Sequence, residues 1–111
     1  MCSSASDLKI WHEALLAGTL LPREVYQVAC ESATLNNGRQ TNYGYGWFIA
    51  GDNIVMHSGG WQGFSSFLCR HLNSGDLIVV LDNASHVMRV SGMGFRFHSI
   101  ALQLRKYLES C

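Results

Sequence analysis

Helical periodicity at both ends of the chain, with strand-length apolar runs between, implies an α+β protein: a four-stranded antiparallel meander with two N-terminal helices and one C-terminal helix. Leu8, Trp11, Ala14 and Leu15 recur at helical spacing, as do Phe97, Ile100, Ala101, Leu104 and Leu108. The runs between them are rich in aromatic and β-branched residues and are parted by turn-forming glycines and asparagines. One sheet with helices packed on it is the economical way to bury both kinds of apolar face. With 111 residues and no repeat, low-complexity stretch or linker, residues 1–111 form a single domain with a core of its own.

Each element has a local reason. Ser4-Ala5-Ser6-Asp7 fits a capping box, with a hydroxyl at the N-cap and a carboxylate three residues later, and Gly18 ends the first helix. Leu20-Leu21-Pro22 leads into a second helix, with Pro22 in its first turn and Val25, Val28 and Ala29 on one face. Residues 32–42 are polar and read as a loop, with Asn37-Gly38 as a turn. Four strands follow: Tyr43 to Ala50, Ile54 to His57, Phe64 to Leu72, and Leu77 to Leu81. Gly51-Asp52-Asn53 and Asn73-Ser74-Gly75 turn the chain between neighbours. The unbroken apolar run Leu77–Leu81 implies a strand buried on both faces and therefore central. A loop from Asp82 to Ser85 leads on to the last helix, where Arg105 and Lys106 suit the negative helix end.

Composition excludes several classes. Hydrophobic residues make up 48% and charged residues 14%, which is not the balance of a disordered chain. A formal net charge of zero argues against nucleic acid and against an anionic membrane as partners. No apolar run approaches the ~20 residues of a membrane span. The start, Met1-Cys2-Ser3-Ser4, lacks the basic-then-apolar pattern of a signal peptide, which makes a cytoplasmic location the default expectation. The four cysteines, Cys2, Cys30, Cys69 and Cys111, show no C-x-x-C spacing and read as thiols in a reducing compartment. His12, His71, His86 and His98 have no metal-ligand spacing, so neither metal nor cofactor is expected.

The stretch with most chemistry is His57-Ser58-Gly59-Gly60, followed by Trp61-Gln62-Gly63-Phe64. Adjacent glycines after a strand let the backbone approach a ligand and free a main-chain N–H to donate, while the histidine and serine add titratable and hydroxyl groups. His57 and Ser58 cannot easily act as a base–nucleophile pair, because neighbours on a strand point to opposite faces. Tyr43, Tyr45 and Trp47 alternate and should share one strand face, as sheet packing rather than a stacking platform.

Several motifs together resemble the C-terminal part of the serine β-lactamase and penicillin-binding-protein-like hydrolases, nearest the esterase and class C-like branch. They are Ser4-Ala5-Ser6-Asp7-Leu8 with Trp11, Tyr43-Gly44-Tyr45-Gly46-Trp47, His57-Ser58-Gly59-Gly60 with Gly63-Phe64, and Val79-Val80-Leu81-Asp82-Asn83. Their order and approximate spacing match over nearly the whole chain. The resemblance implies that His57, Ser58 and Gly59 occupy the family's Lys/His-Ser/Thr-Gly triplet on a strand edging the active site. Gly60 would then lend its backbone N–H to an oxyanion hole, and His57 would attract a substrate carboxylate. Such a donor can be worth ~3 kcal/mol of transition-state stabilisation.

The family's Ser-x-x-Lys nucleophile motif and its Tyr-x-Asn motif lie upstream of the matched region, and the chain begins after both. Thr41-Asn42-Tyr43 does not recreate the second, since its asparagine precedes the tyrosine. Ser6-Asp7-Leu8-Lys9 is formally Ser-x-x-Lys, which would make Ser6 a nucleophile and Lys9 its base, but the alignment puts it in a surface capping segment. Asn83-Ala84-Ser85 is a glycosylation sequon without a secretory signal to give it meaning, although members of the family are often periplasmic.

The expectation is a β-lactamase-like fragment or stand-alone module, without hydrolase activity by itself, that retains part of a substrate and oxyanion site. The alternatives are a ligand-binding or complementing interaction module, with a small carboxylate as ligand, and a small serine hydrolase. In the family the strand matching Leu77–Leu81 pairs with strands from the chain's N-terminus. Here it would become an edge, so a homodimer through that strand or through a swapped helix is expected.

Overall fold

The computed structural model describes residues 2–83 together with Gln103 and Lys106. Two helices, α1 (Ala5–Leu16) and α2 (Arg23–Ala29), precede four strands: β1 (Phe48–Gly51), β2 (Ile54–Trp61), β3 (Phe64–His71) and β4 (Leu77–Asp82). The strands form one antiparallel sheet in the order β1-β2-β3-β4, the meander expected of an α+β chain. The C-terminal helix expected around Phe97–Leu108 lies outside the described residues, apart from Gln103 and Lys106.

The caps of α1 follow from sequence. Ser4 Oγ accepts the Asp7 N–H at 3.1 Å. At the other end Gly18 takes a left-handed φ of 74°, and Gly18 N and Thr19 N donate to the carbonyls of Leu15 and Ala14, a Schellman motif. α2 departs from expectation. Val25 and Val28 are about half exposed, at 53% and 52%, while Tyr26 and Cys30 are buried. Four residues apart on one helical face, Tyr26 and Cys30 bury an aromatic ring that the valines could not match in area.

The first strand is shorter than its sequence suggests. Asn42 and Gly46 adopt positive φ, 57° and 81°, and Tyr45 N donates to Ala29 O at 2.9 Å, so the chain turns at residues 44–47 against the end of α2 and Tyr43 only bridges back to Phe48. Tyr43, Tyr45 and Trp47 consequently do not share a strand face. Tyr45 is exposed, Trp47 is buried, and the Tyr43 ring meets Phe48 edge-on at 4.8 Å. β2, by contrast, runs four residues past His57 to Trp61, because Gln62 and Gly63 make a two-residue turn with φ of 43° and 91° that pairs Trp61 with Phe64.

Alternation sorts the sheet into two faces. Val55 and Leu68 join Leu15, Tyr26, Cys30 and Trp47 in a core between sheet and helices. On the opposite face Phe67 packs with Met56, Cys69, Ile78 and Val80. β4 therefore contributes apolar residues to both faces, which accounts for its unbroken apolar run. It is nonetheless not central: it is the last strand of the sheet among the described residues, and Leu81 is 46% exposed.

Candidate functional site

His57-Ser58-Gly59-Gly60 lies within β2, in the half nearest the turn. The register places His57 opposite Leu68, Ser58 opposite Phe67, Gly59 opposite Ser66 and Gly60 opposite Ser65. His57 and Gly59 thus look toward the helices and Ser58 toward the other face, so the histidine and its neighbouring serine are kept apart, as strand geometry requires.

The backbone is the more informative part. A two-residue turn makes Trp61 and Phe64 a hydrogen-bonded pair, so Gly59 and His57, at alternate positions, also bond to β3. Gly60 and Ser58 then direct their N–H and C=O groups to the other edge of β2. β1 pairs with that edge only from Ile54 to Met56. Beyond Met56 no strand lies against it among the described residues. The Gly60 N–H therefore points to an edge of β2 that β1 does not pair, beside the exposed His57, whose ring stands 5.9 Å from that of Phe48.

A Cβ at Gly59 would come within 2.8 Å of Ser66 Oγ and force that hydroxyl to turn away. Together His57, Gly59 and Ser66 rim a cleft of about 720 Å³ between the sheet and the start of α1. Leu8, Trp11, Trp47, Leu68 and Leu81 give it an apolar wall, where Trp11 and Trp47 stack at 6.0 Å. A pocket mostly apolar, with a few convergent polar groups at one rim, suits a small ligand with a polar head and an apolar body.

Ser6 and Lys9 do not line this cleft. Both are exposed on α1, and Lys9 Nζ lies 3.9 Å from Glu13, one turn on. Cys2 and Cys30 are free thiols; burial pushes the Cys30 thiol up to about 11, making it a core residue and not a nucleophile. Cys111, His86 and His98 lie outside the described residues, as do Ala84 and Ser85 of the Asn83 sequon. Among the described residues no group of three or more His, Cys, Asp or Glu side chains could hold a metal ion, and no helix is long and apolar enough to cross a membrane.

Behind the tryptophans lies a cluster that sequence reasoning missed. Arg70 of β3 is fully buried, with its guanidinium carbon 5.6, 4.8 and 5.5 Å from the ring centres of Trp11, Tyr26 and Trp47. Arg70 Nε donates to His12 Nδ1 at 2.7 Å, and His12 Nε2 donates to Gly75 O at 2.8 Å. A ring nitrogen that accepts carries no proton, so this histidine is the neutral Nε2–H form. Burial holds His12 below its ordinary value and pushes Arg70 down to about 10, still a cation at neutral pH. The signal was present in the strand pattern, since Arg70 shares the parity of Leu68 and Leu72, the core-facing positions of its run.

Comparison with known proteins supports a relationship to penicillin-binding-protein and β-lactamase-like proteins. The chain is 32% identical over 85 residues to penicillin-binding protein 4* of Bacillus subtilis (strain 168). That match takes in 73% of this chain but only 19% of the relative, so the chain spans about a fifth of the protein it resembles. No family model matches the sequence.

Proposed function

We propose that this chain is a module of the serine β-lactamase and penicillin-binding-protein-like kind that presents the substrate-facing strand. It binds a small carboxylate-bearing ligand at His57, Ser58, Gly59 and Gly60, and it does not hydrolyse that ligand by itself. The observation that carries this reading is the Gly60 N–H, directed at an edge of β2 that β1 leaves uncovered. A glycine donor there approaches a carbonyl oxygen without steric cost, and His57 beside it supplies a donor for a carboxylate. The similarity to a protein named for penicillin binding supports the same ligand class. Ser6 and Lys9 stay outside the cleft, which favours binding over catalysis.

The test pairs covalent and non-covalent probes. Intact mass after exposure to a fluorescent penicillin and a fluorophosphonate should show no serine adduct. Amide NMR during titration with an N-acyl amino acid should move the Gly60 and His57 signals. A stoichiometric serine adduct would make the chain a hydrolase, and an unmoved Gly60 signal would remove the binding reading.

The position of β4 at the end of the sheet among the described residues favours a second feature of the same reading. An apolar terminal strand invites pairing, either with a second copy or with a separate chain that completes the site. Light scattering at micromolar concentration should give twice the 12.3 kDa chain mass. A monodisperse monomer would refute self-association.

A further inference from the structure

The Arg70 cluster has a chemistry that the cleft does not use. Its Nε is satisfied by His12, but among the described residues Nη1 and Nη2 are buried with no hydrogen-bond partner, and so is the hydroxyl of Tyr26, whose ring lies against the same guanidinium. His12 cannot balance the charge, because the two hydrogen bonds that hold it require the neutral form. Glu13 and Asp76 are felt by His12, yet neither forms an ion pair with Arg70. Three aromatic faces offset part of the cost of a buried cation. They supply no acceptor for four N–H groups. Buried donors left unsatisfied are costly enough that such a cluster calls for an acceptor.

We infer that the Arg70 Nη groups and the Tyr26 hydroxyl form a buried site for a small monovalent anion of the halide class, behind the Trp11–Trp47 wall. The Nη groups only donate, the Tyr26 hydroxyl can donate, and the guanidinium adds a full charge, a combination that suits an anion and repels a cation. The surroundings choose among anions. Leu15, Cys30 and Val55 belong to the same core, so an entering ion must leave its water behind. That step penalises multiply charged sulfate and phosphate and strongly hydrated fluoride more than chloride, bromide or iodide. A macromolecular carboxylate cannot reach a residue with no exposed surface. Occupancy would lock the guanidinium against both tryptophans and so stiffen the cleft wall, an effect separate from ligand capture at Gly60.

The test is urea unfolding of the whole chain in sodium chloride and in sodium fluoride at equal ionic strength. An ion that binds only the folded chain multiplies the folded-to-unfolded ratio about tenfold for each tenfold rise in its concentration above the dissociation constant. Chloride should do this and fluoride should not. Bromide and iodide should in addition quench tryptophan fluorescence to a saturating limit. Tyr26→Phe, which removes one hydroxyl from a retained ring, should weaken the chloride response several-fold, and Arg70→Met should abolish it. Parallel stability curves in chloride and fluoride would overturn the site. So would a chloride response unchanged in Tyr26→Phe, which stands as the readout if Arg70→Met does not fold.

Discussion

Replacing His12 with phenylalanine keeps a flat ring in the core and removes both nitrogens of the clasp between α1 and the sheet. Two partners are then orphaned, the buried Arg70 Nε–H and the half-buried Gly75 carbonyl. The Gly75 carbonyl loses a 2.8 Å bond, and the Arg70 Nε–H loses one of 2.7 Å. A neutral bond with its partner left buried costs about 1–3 kcal/mol, and one to a charged group about 1.5–3. With the half-buried carbonyl at the low end of its range, the sum is roughly 2.5–4 kcal/mol, a large part of the ~5–15 kcal/mol that a domain has in total. Urea unfolding followed by tryptophan fluorescence measures it directly, and the slope of the transition reports whether the cooperative unit is unchanged. The double variant His12→Phe with Arg70→Met is the sharper arm. It removes donor and acceptor together and leaves no buried charge, so its loss should be well below the sum of the single losses. A His12→Phe loss under about 1 kcal/mol, or strict additivity in the double variant, would refute the account of the clasp.

Three further outcomes follow. The folded chain holds His12 below its ordinary value of 6.5, so the unfolded chain binds a proton that the folded one refuses. Stability is then full above pH 6.5 and declines as the pH falls below it toward the folded-state value, a slope that should flatten in His12→Phe. Gly44→Ala should destabilise by about 1–3 kcal/mol in the same assay, since a Cβ would overlap the Ala29 carbonyl and reach 2.7 Å from that of Glu31. Gly60→Val, at an exposed strand position with ordinary φ, should weaken carboxylate binding at least tenfold in an NMR titration while the melting temperature holds; an equal loss of both would make Gly60 a folding residue.

The sheet was legible because it is a meander. Strands joined by short turns pair with their sequence neighbours, so run lengths and turn residues sufficed for β2, β3 and β4. The errors fell where tertiary contacts overrode local pattern. Tyr43–Trp47 alternates like a strand, yet left-handed Asn42 and Gly46 bind it to α2. Val25 and Val28 have helical spacing, yet Tyr26 had more area to bury. β4 reads as central because both its faces carry apolar residues, which pattern cannot distinguish from having neighbours on both edges. In the site, the glycines and the opposed faces of His57 and Ser58 followed from sequence and strand parity. The direction of the Gly60 N–H did not, because it depends on a turn that extends β2 and on a β1 that stops short. Arg70 was overlooked because a charged residue is ordinarily assigned to solvent whatever its parity.

The clasp also separates two stages of folding. The strand pairings β2–β3 and β3–β4 link chain neighbours through turns, whereas His12 meets Arg70 58 residues away and the Gly75 carbonyl 63 residues away. Closing so long a loop is worthwhile only after the sheet exists to receive the helix, so α1 docks late. Contacts absent from the transition state govern the rate of opening and leave the rate of closing alone. The buried histidine–arginine pair is therefore a brake on unfolding: it sets how long the folded chain lasts, and a chain without it would fold as fast and come apart sooner.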